Sequence, residues 1–115
     1  MKYYFCGIGG IGMSSIAQYL KLKNNEVAGS DRAFDLNDNR AIRQKLCQMG
    51  IQIYPQDGSG VKEDIDCFVT STAVESQIPD VQKALKLGIP IKRRAEMLGE
   101  ILHSYTGSAD AGTSG

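Results

Sequence analysis

The segment that decides the fold lies near the N-terminus and reads Lys2-Tyr3-Tyr4-Phe5-Cys6-Gly7-Ile8-Gly9-Gly10-Ile11-Gly12-Met13. Residues 2–6 are mostly aromatic or apolar, as in a buried strand, and residues 7–12 satisfy the pattern G-x-G-x-x-G. Apolar residues then recur with helical spacing over residues 10–22. A glycine turn between a strand and a helix predicts a site for a nucleotide diphosphate, because the helix N-terminus presents unpaired N–H groups and a partial positive charge.

Three glycines of this motif have separate predicted roles. Gly7 permits a tight turn, Gly9 leaves no Cβ between the backbone and a phosphate, and Gly12 lets the helix pack close to its strand. The motif does not by itself identify the base of the nucleotide.

The rest of the chain alternates short apolar runs with longer stretches of helical periodicity. We expect further strands at 26–30, 51–54, 67–69 and 89–91, and further helices at 36–49, 79–88 and 94–103. This alternation predicts an α/β protein with a three-layer Rossmann-like fold and a mainly parallel five-stranded sheet. We place the domain at residues 1–103. The small, polar and glycine-rich composition of residues 104–115 predicts a linker or tail.

Composition and charge narrow the class of protein. A chain of 115 residues with 42% hydrophobic and 23% charged residues is typical of one soluble globular domain. Its thirteen basic residues balance thirteen acidic ones, so the overall charge favours neither nucleic acid nor an anionic membrane as a partner. The cysteines, Cys6, Cys47 and Cys67, form no C-x-x-C pair and follow no secretory signal. We therefore expect reduced thiols and a cytoplasmic protein.

Polar residues at other predicted strand ends are further candidates for ligand contact. Asp31 follows the second strand at about twenty residues beyond the glycine motif, where an acidic side chain accepts hydrogen bonds from ribose hydroxyls, although the same residue could cap the next helix. Ser71, Thr72 and Ala73 follow the fourth strand, where hydroxyl groups could bind a phosphate or sugar or could cap the strand exit. Arg94 begins the last helix and could reach a phosphate or pair with Glu96. No cluster has metal-ligand spacing, and we predict no catalytic residue, metal or cofactor in this chain.

Read together, these motifs resemble the Mur ligase family. Residues 5–14 are similar to the family's first loop, 29–31 to its second strand end, 70–74 to its fourth strand end, and 89–91 with 94–98 to its closing strand and helix. The resemblance implies a domain that holds the UDP part of UDP-N-acetylmuramate, and the first loop favours the members that add L-alanine. The implied contact residues are Gly7, Ile8, Gly9, Gly10, Ile11, Gly12, Met13, Asp31, Ser71, Thr72, Ala73 and Arg94.

The resemblance also extends to the last residues of the chain. In a whole Mur ligase, ATP and Mg²⁺ activate the substrate carboxylate as an acyl phosphate, and the amine of the amino acid then attacks it. Gly112, Thr113, Ser114 and Gly115 are similar to the start of the family's ATP loop, but the lysine that follows in the family is absent here. We therefore expect this chain to be catalytically inactive by itself. The alternative is a flexible end unrelated to that loop.

Two other functional classes fit the motif. A dinucleotide-dependent oxidoreductase domain would use the glycine loop and Asp31 equally well and would bind NAD. A regulatory ligand-sensing module is the third possibility. A test for binding of UDP and of NAD distinguishes the Mur ligase interpretation from the oxidoreductase interpretation.

Overall fold

The computed structural model describes residues 1–71 and 77–110, with side chains as far as residue 103. Its centre is a sheet in which every paired strand is parallel to its neighbour. The strands are β1 (Lys2–Cys6), β2 (Glu26–Ser30), β3 (Gln52–Tyr54), β4 (Cys67–Thr70) and β5 (Ile91–Arg93). The spatial order is β3-β2-β1-β4-β5. The predicted five-stranded parallel sheet is confirmed, and the strand order reverses beside β1, where open α/β sheets bind their ligands.

Helices cover both faces of this sheet. They are α1 (Ile11–Leu22), α2 (Arg32–Asp35), α3 (Arg40–Gln48), α4 (Pro79–Leu87) and α5 (Arg94–Asp110). Successive strand residues point to opposite faces, so Phe5 packs with residues of α1, α3 and α5, whereas Tyr4 packs with α4 and the segment before β4. The two apolar clusters make the predicted three layers and explain why the central strands are apolar on both sides.

The helix predicted at 36–49 begins only at residue 40 in the structure, and a separate short helix that was not predicted precedes it. A short helix, α2, ends at Asp35, and α3 begins at Arg40. Between them, Asn37 and Asn39 have φ angles of 65° and 55°. Asparagine adopts this left-handed conformation more readily than most residues, and a residue in it interrupts a right-handed helix. The prediction was therefore wrong for residues 36–39.

Two boundaries near the C-terminus also differ from the prediction. The last strand was expected at 89–91 but comprises Ile91–Arg93. Pro90 has no N–H to donate and contributes only its carbonyl, which accepts a hydrogen bond of 2.8 Å from the Phe68 N–H. The last helix was expected to end at residue 103 but continues to Asp110, since no proline interrupts it. Among the described residues, no helix has the length and apolarity needed to cross a membrane.

Candidate functional site

The glycine loop is held by the end of the neighbouring strand. Gly7 has a φ of 87°, the left-handed conformation that glycine adopts without steric cost, and it forms the predicted tight turn after β1. The N–H groups of Gly7 and Ile8 both donate to the Ser30 carbonyl, at 2.8 and 3.0 Å, and the Gly10 N–H donates to the Gly7 carbonyl at 3.1 Å. The turn is therefore anchored on the last residue of β2.

The first turn of α1 leaves hydrogen-bond donors free at this edge of the sheet. Gly10 is the N-cap and has no side chain to cap the helix. The first N–H of the helix to bond backward is that of Ser14, which donates to the Gly10 carbonyl at 2.7 Å. Within the described part of the chain, the N–H groups of Ile11, Gly12 and Met13 have no protein partner. Such donors, together with the helix dipole, attract an anion.

Gly9 is required for a different reason from the one predicted. Its N–H donates to Asp31 Oδ2 at 2.8 Å, so it is already occupied within the protein. A Cβ at this position would lie 2.9 Å from Asp31 Oδ2 and 2.9 Å from two ring carbons of Phe34, which is buried. The interpretation that Gly9 clears the approach of a phosphate is therefore corrected: the missing side chain makes room for Asp31 and Phe34.

Asp31 uses both of its carboxylate oxygens on the backbone. Oδ1 accepts from the Ala33 N–H at 2.8 Å and caps α2, while Oδ2 accepts from Gly9. In the structure Asp31 therefore caps the next helix, which was the alternative to a ribose contact. A hydrogen bond from a ribose to the remaining lone pairs of Asp31 stays a prediction.

Gly12 accommodates Arg94 from the last helix. A Cβ on Gly12 would lie 3.0 Å from Arg94 Nη1 and 3.2 Å from Arg94 Cδ. The predicted role of Gly12 was to let α1 pack closely on its strand. In the structure, the group that lies against Gly12 is the Arg94 side chain. Glu96 accepts from the Arg93 N–H at 3.0 Å, and Arg94 has no ion pair among the described residues. The exposed guanidinium of Arg94 thus lies beside the free N–H groups of α1.

The remaining motif residues divide into buried and exposed side chains. Ile8 and Met13 are buried in the core, so only their backbones face the edge of the sheet, whereas the Ile11 side chain is 85% exposed. Ser71 is exposed, and its Oγ lies 3.9 Å from the position that a Cβ on Gly7 would take. The structure therefore brings Ser71 to the glycine loop, and its predicted contact with a phosphate or sugar stays a prediction.

Two groups of predicted contacts lie outside the described residues. These are Thr72 and Ala73 after β4, and Gly112, Thr113, Ser114 and Gly115 at the C-terminus.

A buried polar network next to the loop was missed by the sequence reasoning. Asp80, in the first turn of α4, is fully buried. Its Oδ2 accepts from Tyr4 Oη at 3.0 Å and from Ser30 Oγ, and its Oδ1 accepts from the Gly58 N–H at 2.7 Å. An acidic residue after a proline looks like an ordinary exposed helix start, so no local signal distinguishes this carboxylate.

The network shifts the titration of its members. Burial raises the pKa of Asp80, although hydrogen bonds from Ser30, Tyr4 and Gly58 act in the opposite direction. Burial, together with the nearby Asp80 charge, raises the pKa of the Cys6 thiol to about 12. Cys6 is buried beside the network, and its raised pKa favours the protonated thiol over the reactive thiolate.

Comparison with known proteins gives concordant results. Residues 2–106 match the model of the Mur ligase family, catalytic domain. The chain is 42% identical over 112 residues to the UDP-N-acetylmuramate–L-alanine ligase of Neisseria meningitidis serogroup C, an alignment that covers 97% of this chain and 23% of the relative. The chain thus spans about a quarter of the length of this relative and resembles the N-terminal domain of such a ligase.

Solved structures support the same relationship. The UDP-N-acetylmuramate-alanine ligase of Thermotoga maritima superimposes with a TM-score of 0.78 at 30% identity, over 90% of this chain and 23% of that one. The UDP-N-acetylmuramate:L-alanyl-gamma-D-glutamyl-meso-diaminopimelate ligase of Neisseria meningitidis superimposes with a TM-score of 0.73 at 26% identity, over 86% of this chain and 30% of that one.

Proposed function

Because the chain belongs to the Mur ligase family, we propose that it binds the diphosphate of UDP-N-acetylmuramate at the N-terminus of α1. The observation that carries the proposal is that the N–H groups of Ile11, Gly12 and Met13, at the carboxyl edge of β1, have no partner among the described residues. A nucleotide-sugar diphosphate has the negative charge and the acceptor oxygens that these donors require.

Arg94 supplies the second part of the proposed site. Its guanidinium lies against Gly12 and has no acidic partner among the residues that the structure describes. A planar guanidinium forms paired hydrogen bonds with phosphate oxygens, and its charge offsets that of the diphosphate. Ser71 Oγ, which lies near the Gly7 turn, is a further donor for a phosphate or sugar oxygen.

For the whole protein, we propose the reaction named for its relatives, the ligation of L-alanine to UDP-N-acetylmuramate, in the cytoplasmic synthesis of a peptidoglycan precursor. ATP and Mg²⁺ would activate the substrate carboxylate in that reaction. Among the side chains of residues 1–71 and 77–103, no group of three His, Cys, Asp or Glu could hold a metal ion. The proposed role of this chain in that reaction is to hold and orient the UDP end of the substrate.

Calorimetric titration of the chain with UDP-N-acetylmuramate, UDP and NAD tests this function. We expect both uridine ligands to bind and NAD to give no heat of binding. Binding of NAD without binding of UDP would contradict the proposal and favour the oxidoreductase alternative, which relies on the same glycine motif.

A further inference from the structure

Ser30 holds the glycine loop through its carbonyl, and it is itself held by a residue on the opposite face of the sheet from α1. The Ser30 carbonyl accepts the N–H groups of Gly7 and Ile8. The hydroxyl of the same serine donates to Asp80 Oδ2. One residue at the end of β2 therefore links the turn that precedes α1 to the carboxylate at the start of α4.

Asp80 is fixed independently of Ser30. Its other oxygen, Oδ1, accepts from the Gly58 N–H at 2.7 Å, and Tyr4 Oη donates to Oδ2 at 3.0 Å. Asp80, Ser30 and Tyr4 are all fully buried. In a site that excludes water, each of these donors would lose its partner if the carboxylate moved, so the carboxylate has a defined position.

We propose that Asp80 is a positioning residue for nucleotide binding: it fixes Ser30, and through the Ser30 carbonyl it fixes the Gly7 turn that aims the free N–H groups of α1. The proposal rests on the proposed function in that UDP is the ligand that the loop receives. A glycine-rich turn needs such an anchor, because glycine loses more conformational freedom on ordering than any other residue.

The local test uses the unliganded chain and needs no ligand. Amide hydrogen exchange is measured at Gly7 and Ile8 in the wild type, Ser30→Ala and Tyr4→Phe. Tyr4→Phe is the matched control, because it removes a donor to the same carboxylate oxygen but has no bond to the loop. It also retains the ring that stacks on Phe68 with centroids 5.7 Å apart. We expect faster exchange at Gly7 and Ile8 in Ser30→Ala and unchanged exchange there in Tyr4→Phe.

The binding test titrates UDP into the same proteins and into Asp80→Asn and the Ser30→Ala/Asp80→Asn double variant. Ser30→Ala and Asp80→Asn each remove one buried hydrogen bond that holds Ser30. We therefore expect each of these single variants to bind UDP about fivefold more weakly than the wild type. Because both changes act through Ser30, the double variant should bind no more weakly than Asp80→Asn. Tyr4→Phe should stay within about twofold of wild type while losing a comparable amount of stability.

Several outcomes overturn the inference. They are unchanged amide exchange in Ser30→Ala, additive losses of UDP affinity in the double variant, and an equal loss in Tyr4→Phe. If Asp80→Asn does not fold, the comparison of Ser30→Ala with Tyr4→Phe decides the question. Failure of the wild type to bind UDP would reject the proposed function separately, since the exchange measurement on the unliganded chain still reports whether the anchor exists.

Discussion

Arg94 lies across the first turn of α1, with its Nη1 3.0 Å from the position that a Cβ on Gly12 would occupy. The contact joins the N-termini of α1 and α5, which are both at the carboxyl edge of the sheet. It also explains why the third motif position is glycine in this chain. A side chain there would occupy the space that the Arg94 side chain fills beside the first turn of α1.

The first prediction concerns the charge of Arg94. Arg94→Ala should weaken UDP binding about tenfold, because paired, charge-assisted hydrogen bonds to phosphate are among the stronger polar interactions. Arg93→Ala is the matched control, since Arg93 is also exposed and uses its backbone N–H, not its side chain, to bind Glu96. Calorimetric titration with UDP at low and high salt measures both variants. Equal losses in the two variants would indicate a general effect of charge and not a contact at Arg94.

The second prediction concerns Gly12 itself. Gly12→Ala places a methyl group against the end of a flexible side chain, so Arg94 can move aside at little cost to folding. Alanine also favours a helix more than glycine does, by up to about 1 kcal/mol. We expect an unfolding free energy equal to or above that of the wild type, combined with weaker binding of UDP. Denaturant unfolding and titration on the same sample separate the two effects, and unchanged affinity would place the diphosphate away from Gly12.

The third prediction concerns Gly9, where the opposite result is expected. Gly9→Ala forces a methyl group to within 2.9 Å of Asp31 Oδ2 and of the Phe34 ring. Phe34 is buried and Asp31 caps α2, so neither can move freely. Overpacking of this kind costs about 1–3 kcal/mol of unfolding free energy. Denaturant unfolding beside Gly12→Ala tests it, and a Gly9→Ala protein as stable as wild type would show that the loop can relax.

These contrasts show what local sequence patterns can and cannot predict. Residues 2–6 and α1 were predictable, because a strand buried on both faces is a nearly continuous apolar run, and a helix buried on one face has apolar residues at helical spacing. The interruption at Asn37 and Asn39 was missed, because the apolar positions of the predicted helix all follow residue 39 and do not define where the helix begins. The neighbours of Gly9 and Gly12 were also hidden, because Phe34 and Arg94 approach them only after the chain has folded.

Asp80 provides the last prediction, which concerns pH. Burial raises its pKa in the folded protein above the usual value of 3.8. The folded state then binds the proton more tightly than the unfolded state, so the stability contributed by protonated Asp80 is fully present below pH 3.8 and is lost as the pH rises through the folded pKa. The difference in unfolding free energy between wild type and Asp80→Asn should therefore decrease with rising pH.

Taking that difference removes the other titrating groups from the measurement. Hydrogen bonds lower the pKa values of Asp57 and Asp64, so these exposed groups give stability that is lost as the pH falls. Both groups are present in wild type and Asp80→Asn, so their contributions cancel except for the effect of the Asp57 charge on Asp80. The groups that face Asp80 are the donors Tyr4 and Ser30 and the Gly58 N–H, with Cys6 and Asp57 acting at longer range. Burial and the Asp80 charge raise the pKa values of Tyr4 and Cys6, so both stay neutral in this range.

Denaturant unfolding of both proteins at a series of pH values above 3.8 measures the difference in unfolding free energy. A difference that is constant or increases with pH would mean that the desolvation of Asp80 is fully offset by its three hydrogen bonds.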